Sequence, residues 1–294
     1  LGAGLRGGRL AFTSRLADAV RDRPVVLLAH DTPVNANDES DLTDIFLAVR
    51  EMAPGLARDV VLHVTAQVPV GTCDEIRGML QHLRPQLKVR VAYSPENLRL
   101  GQALERYRKP PLPVLGSDDD TALDRLAALY APCNAAWMRC SLRTAEMSKH
   151  ALNSFLALSV TFANELGNLC DEVGADGHRL AEILRVEPRV GPKAMLFPGL
   201  GFAGGTLARD VQTLRRLGEG AGIETPLLDG LWTSNRLQNG TVVRRLLRAS
   251  GGSLDGARVA VWGLTYKPDT STLRRSAALE VIGDLQREGA QVAA

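Results

Sequence analysis

The sequence predicts an α/β chain that passes into a helical middle and then begins a second α/β unit. Three observations predict it. Short continuous apolar runs alternate with helix-period segments over the first 130 residues. A stretch of about 30 residues without proline follows, at helical spacing. A glycine-rich tract, Ser250 to Gly256, then precedes a new strand–helix–strand pattern.

In chain order, Pro24 to His30 reads as a buried strand, and Asp41 to Ala53 as a helix with Asp41 as a possible N-cap. Asp59 to Ala66 is a second buried strand and Gly71 to Leu83 a helix. Lys88 to Pro95 and Pro111 to Ser117 are further strands, and Asp118 to Tyr130 closes the unit as a helix. Such alternation implies a mostly parallel sheet covered on both faces. Thr144 to Val173 predicts a single helix, long enough to be the spine of a domain or a dimer interface. Asp176 to Arg185 is a helix with Asp176 at its N-cap. A Pro/Gly-rich loop runs from Val186 to Gly205, and two helices span about Ala208–Gly218 and Pro226–Ala249. Ala257 to Leu264 is a strand, Ser276 to Gly289 a helix, and AQVAA begins another strand. The domain boundaries expected are 1–131, 132–249 and 250–294.

Composition narrows the function classes. The 294 residues carry 35 Lys and Arg against 33 Asp and Glu, a net charge of +2. That balance lacks the basic stripe expected of a nucleic-acid binder. No apolar run reaches membrane-span length, so no membrane partner is expected. Cys73, Cys133, Cys140 and Cys170 form no CxxC pair, and the five histidines are scattered. Reduced thiols in a cytoplasmic protein and no metal site are therefore expected.

Gly2, Gly4 and Gly7 formally fit GxGxxG. A dinucleotide loop needs a strand before it and an acidic residue closing a second strand after it, and neither is visible. A Gly-rich turn is expected there instead. Lys149 and Asn153, at i and i+4, share one helix face. Together an ammonium and an amide can hold a substrate hydroxyl and stabilise an alkoxide as hydride leaves.

Around that pair fall HDTPVNANDESDLTDIFLAV, TAQVPVGT, YSPENLRLGQALERY, EPRVGPKAMLFPGLGFAGGTLARDVQTL, TSNRLQN and GLTYKPDTSTLRRSAALEVI. In this order they closely resemble the UDP-glucose/GDP-mannose dehydrogenase family, which includes the UDP-N-acetylmannosamine dehydrogenases. The resemblance covers about Gly8 to Gln291. It implies a Rossmann-type NAD-binding domain, a helical dimerising middle and a C-terminal nucleotide-sugar-binding domain. It further implies NAD as cofactor, a UDP- or GDP-linked sugar as substrate, and a homodimer. Against that plan the chain lacks the first strand–loop–helix–strand and most of the last domain, and it begins at Leu1. It is expected to be a fragment that, as written, binds NAD poorly or not at all.

By resemblance, Lys149, Asn153 and Asp210 match the family's catalytic Lys, Asn and Asp. Glu96 matches a glutamate linked to thioester hydrolysis. The family oxidises an alcohol twice, and a cysteine traps the intermediate aldehyde as a thiohemiacetal. Here its GGSCFPKD aligns with AGGTLARD, so Thr206 stands at the cysteine, Ala208 at the proline and Arg209 at the lysine. A threonine hydroxyl is hardly ionised at pH 7, so the second oxidation is expected to be lost or severely slowed. Gln67 replaces a catalytic Thr, Leu100 a cofactor-side Glu, and Asp31 a turn glycine near the NAD phosphates. Thr32, Pro33 and Gln67 are the cofactor-side candidates. Arg189, Phe202, Gly204, Gly205 and Lys267 are the substrate-side ones. Two alternatives stay open: a non-catalytic dimeric paralogue, and a β-hydroxyacid or 6-phosphogluconate-type dehydrogenase.

Overall fold

The computed structural model describes residues 2–35, 38–96, 98, 101–202, 206–265, 271, 273 and 276–294. They form two compact units, 1–35 with 40–149 and 36–39 with 150–294.

The first unit opens with α1 (Gly2–Arg6) and α2 (Leu16–Ala19). The expected Gly-rich turn at Gly2–Gly7 is thus a short helix, closed by a turn in which the Gly7 N–H reaches the Ala3 carbonyl and Gly8 has φ +64°. There follow β1 (Val25–Leu28), α3 (Thr43–Met52), β2 (Val61–Val64), α4 (Thr72–Leu83), β3 (Arg90–Tyr93), α5 (Ala103–Arg108), β4 (Val114–Gly116), α6 (Asp120–Leu129) and β5 (Met138–Cys140).

The strands lie in the order β1-β2-β3-β4-β5. All neighbours are parallel except β3 and β4, which run antiparallel. Every residue of β2 and β3 is buried, the signature of strands covered on both faces. One face packs Leu28, Leu62 and Val64 against Ile45 and Val49 of α3 and Ile76 and Leu80 of α4. The other packs Val61, Ala92 and Leu115 against Leu123 and Leu126 of α6. Helix α3 starts two residues after Asp41, whose carboxylate accepts the Thr43 N–H at 2.9 Å, so Leu42 rather than Asp41 holds the N-cap position. Helix α6 is capped by Asp119, which accepts the Ala122 N–H at 3.0 Å.

α7 (Leu142–Val173) is 32 residues long, as the sequence predicts, and the division between the units falls within it. The second unit continues with α8 (Gly177–Val186), α9 (Leu207–Ala221), α10 (Pro226–Asn239), α11 (Thr241–Ala249), β6 (Arg258–Ala260), α12 (Ala277–Arg287) and β7 (Gln291–Ala293). Asp176 caps α8 through the Arg179 N–H at 3.0 Å. The single helix expected over Pro226–Ala249 is two helices parted at Gly240. Ala157, Phe202, Ala208, Val211 and Leu231 form one core of this unit. β6 and β7 pair in parallel with α12 between them, and Val281, Leu285, Leu254 and Val243 pack together there.

Candidate active site

Within the second unit, Asp210 sits in the first turn of α9 with none of its surface exposed. Burying a carboxylate is costly unless donors replace its lost water. His150 Nδ1 lies 2.8 Å from Asp210 Oδ1, and the Asn153 amide donates to Oδ2. Both partners come from one face of α7. Lys149, the last residue of the first unit, is 8% exposed and lies one turn before Asn153 on the same helix. Arg209 is also buried, with Nε 3.8 Å from Asp210 Oδ1.

Asp210 and Asn153 are therefore brought together. His150 was missed. Its role depends on a carboxylate 60 residues further along the chain. The available signal was its place beside Lys149 and three residues before Asn153 on the same helical face. Thr206 begins α9, where its carbonyl accepts the Asp210 N–H at 3.2 Å. Its side chain is exposed and makes no capping bond.

Residues 199–202 are held by neutral amides. Asn235 brackets Phe202, accepting its N–H at 2.8 Å and donating to its carbonyl at 3.1 Å. Asn164 accepts the Gly199 N–H at 2.8 Å and donates to the Leu200 carbonyl at 3.1 Å. Gln238 donates to the Gly199 carbonyl at 2.7 Å. Asn235 and Gln238 belong to the TSNRLQN segment, quoted in the resemblance without a role. Gly201 has no room for a side chain, because a Cβ there would stand 2.2 Å from Asn239 Oδ1. Arg189 is apart from this group: it is exposed and pairs with Glu187 at 2.7 Å. Gly204, Gly205 and Lys267 lie outside the described residues.

In the first unit, the carboxyl ends of β1, β2 and β3 lead into the loops that carry Thr32, Gln67 and Glu96. That edge of a parallel sheet is where open α/β folds bind ligands. Thr32 is buried and donates its hydroxyl to the Gln67 carbonyl at 2.8 Å, clasping two of the loops. Pro33 is exposed, and its carbonyl accepts the Asp41 N–H at 2.7 Å. Asp31 accepts the Thr32 N–H at 2.9 Å, so one of its oxygens is already occupied. A cleft of about 200 Å³ is lined by Ala29, Thr65, Ser94, Glu96, Tyr107 and Trp137, among others. Beneath it, burial holds His63 down at about 4 and pushes the Tyr130 phenol up. Tyr130 Oη and His63 Nδ1 lie 3.1 Å apart.

This edge fits part of a dinucleotide. Ser94 Oγ is buried without a partner, an unsatisfied polar atom at the cleft, and small Ala29 leaves room for close approach. The diphosphate is another matter. The α4 N-terminus is already occupied, since the buried Glu146 carboxylate accepts the Gly71 N–H at 2.7 Å and the Cys73 N–H at 2.8 Å.

Fold and site together define a Rossmann-type α/β protein whose long helix holds a buried aspartate through a histidine and an asparagine. The chain belongs to the UDP-glucose/GDP-mannose dehydrogenase family. It matches that family's NAD binding domain over residues 1–134, its central domain over 143–236 and its UDP binding domain over 260–294. It is 34% identical to the UDP-glucose 6-dehydrogenase of Rhizobium meliloti, over 97% of this chain and 66% of that protein. A Bacillus subtilis UDP-glucose 6-dehydrogenase is 32% identical over 97% of this chain and 62% of its own length. The chain thus spans just under two thirds of these curated relatives. The solved UDP-glucose dehydrogenase of Pyrobaculum islandicum superposes with a TM-score of 0.90 at 32% identity, over 99% of this chain and 68% of the other. NAD is the cofactor this family's first domain serves. No described helix is long and apolar enough to cross a membrane.

Proposed function

We propose that the complete protein is an NAD-dependent dehydrogenase that oxidises a CH–OH group of a UDP- or GDP-linked sugar, once rather than twice. The observation that carries this reading is the buried Asp210–Asn153 pair with Lys149 one turn away on α7. NAD supplies the two-electron acceptor for the hydride that leaves the carbinol carbon. The Lys149 ammonium and the Asn153 amide hold the substrate oxygen and stabilise its developing negative charge, while the hydroxyl proton leaves to water. Asp210 fixes the Asn153 amide. Glu96 stands at the strand edge proposed for the cofactor, with Thr32, Pro33 and Gln67 on the neighbouring loops. Phe202, Gly204, Gly205, Arg189 and Lys267 are the proposed substrate contacts.

Thr206 is the reason for a single oxidation. A second hydride can leave only from a tetrahedral adduct of the aldehyde. A thiolate forms one readily, whereas a β-branched alcohol with no base attached does not. The proposed domains are 1–131, 132–249 and 250–294. The proposed setting is the cytoplasm.

We further propose a homodimer through α7. Phe155, Phe162, Leu169 and Val173 are 64%, 49%, 61% and 78% exposed. The first three recur every seven residues, the spacing of a helix–helix seam.

The test is NADH stoichiometry with a panel of UDP- and GDP-sugars on the full-length protein. One NADH per sugar oxidised is expected. Two would overturn the role given to Thr206. None with any sugar would favour the non-catalytic paralogue.

A further inference from the structure

We propose that His150 is a positioning residue for the reaction centre. It acts through Asp210 on the orientation of Asn153, and its role in catalysis rests on the dehydrogenase reading above. The geometry is specific. His150 is 1% exposed and Asp210 0%, so the pair is sealed from solvent. A carboxylate can only accept hydrogen bonds, so the hydrogen of the 2.8 Å contact sits on His150 Nδ1. Nδ1 is therefore the donor atom of this contact. His150 serves Oδ1 and Asn153 serves Oδ2. A donor on each oxygen constrains the carboxylate plane.

The consequence passes to Asn153. Because its NH₂ group faces Oδ2, its amide cannot flip without placing oxygen against oxygen. Its carbonyl oxygen and second N–H are thereby held in one orientation. A carboxylate free to turn would release that constraint. Arg209 Nε stands farther off, 3.8 Å from Oδ1. The ring nitrogen is also the one group here whose reach an asparagine can copy. The amide nitrogen of an asparagine occupies nearly the position of Nδ1.

The experiment uses the full-length protein and three variants. His150→Phe keeps ring volume and removes the donor. His150→Asn restores a donor at the Nδ1 position. His150→Gln places its nitrogen at the reach of Nε2, so it misplaces the donor and gives the same answer should the Phe variant not fold. Expected for Phe and Gln is a kcat at least about tenfold lower with KM within about twofold, and for Asn a kcat within about threefold of the parent. Unchanged kcat in the Phe or Gln variant overturns the proposal, as does an Asn variant no better than those two. If the parent oxidises no nucleotide sugar, the dehydrogenase reading fails separately. Stability then decides the positioning role. His150→Phe and Asp210→Asn should be non-additive by about fivefold or more in the unfolding equilibrium constant. Additivity overturns the role.

Discussion

Removing the Glu146 carboxylate should loosen the first unit at one place. Glu146 is fully buried and reaches 75 residues back along the chain to the start of α4. There it accepts the Gly71 N–H at 2.7 Å and the Cys73 N–H at 2.8 Å. Both donors belong to the helix terminus that has no intrahelical acceptor. A hydrogen bond to a charged group contributes about 1.5–3 kcal/mol net, so two give about 3–6 kcal/mol. The negative charge also meets the positive end of the α4 dipole, worth up to about 2 kcal/mol in a buried geometry. Against these stands the cost of desolvating the carboxylate, which leaves about 3–4 kcal/mol as the expected loss for Glu146→Ala. Glu146→Gln keeps one acceptor oxygen and turns an NH₂ toward the other donor, so its loss should be about 2 kcal/mol. Urea unfolding followed by circular dichroism reads both, with the slope of the transition as a check that the unfolded state is unchanged. A loss under about 1 kcal/mol for the Ala variant at unchanged slope would refute the reasoning.

The remaining predictions are simpler. His63 titrates at about 4 when folded and near 6.5 when unfolded. The unfolded chain therefore binds the extra proton between those values, and its stabilising contribution, complete above pH 6.5, falls away as pH drops through 4. The total is about 3 kcal/mol, read as a decline in unfolding free energy from pH 7 to pH 4 that His63→Phe flattens. Gly201→Ala would set a Cβ 2.2 Å from Asn239 Oδ1 and 3.1 Å from the Asn235 carbonyl. It should cost about 1–3 kcal/mol in thermal unfolding, and a neutral result would mean that the bracketed loop yields. Phe155→Glu with Phe162→Glu should weaken self-association by at least about 100-fold in sedimentation, and an unchanged association state would remove α7 as the seam.

Most of the sheet was legible because its inner strands are covered on both faces. Val61–Val64 and Arg90–Tyr93 lie within largely apolar runs for that reason, broken only by His63 and Arg90 inside the strands. Strand β5 was not legible. Met138–Cys140 is three residues long, carries an arginine and lies at the sheet edge with Met138 exposed, so no burial pattern marks it. Helix α5, six residues with no buried side chain, left no apolar stripe to read. The break at Gly240 was missed because apolar residues continue at helical spacing on both sides of it. At the site, i and i+4 spacing fixed Lys149 and Asn153 on one face of α7, and resemblance added Asp210. Asn153 and Asp210 do meet, but through a carboxylate that a histidine also holds. That third member shared the helical face of Asn153, but a lone histidine acquires meaning only from the group that folding brings to it. Asn164, Asn235 and Gln238 were hidden likewise, since a carboxamide inside a helix announces no partner.

Those three carboxamides have a consequence of their own. The tether on residues 199–202 contains nothing that can gain or lose a proton, and nothing that dissolved ions can screen. Acid and brine should therefore disturb this protein elsewhere first, at imidazoles and ion pairs. The backbone of residues 199–202 should hold its shape across conditions that already erode the rest of the chain.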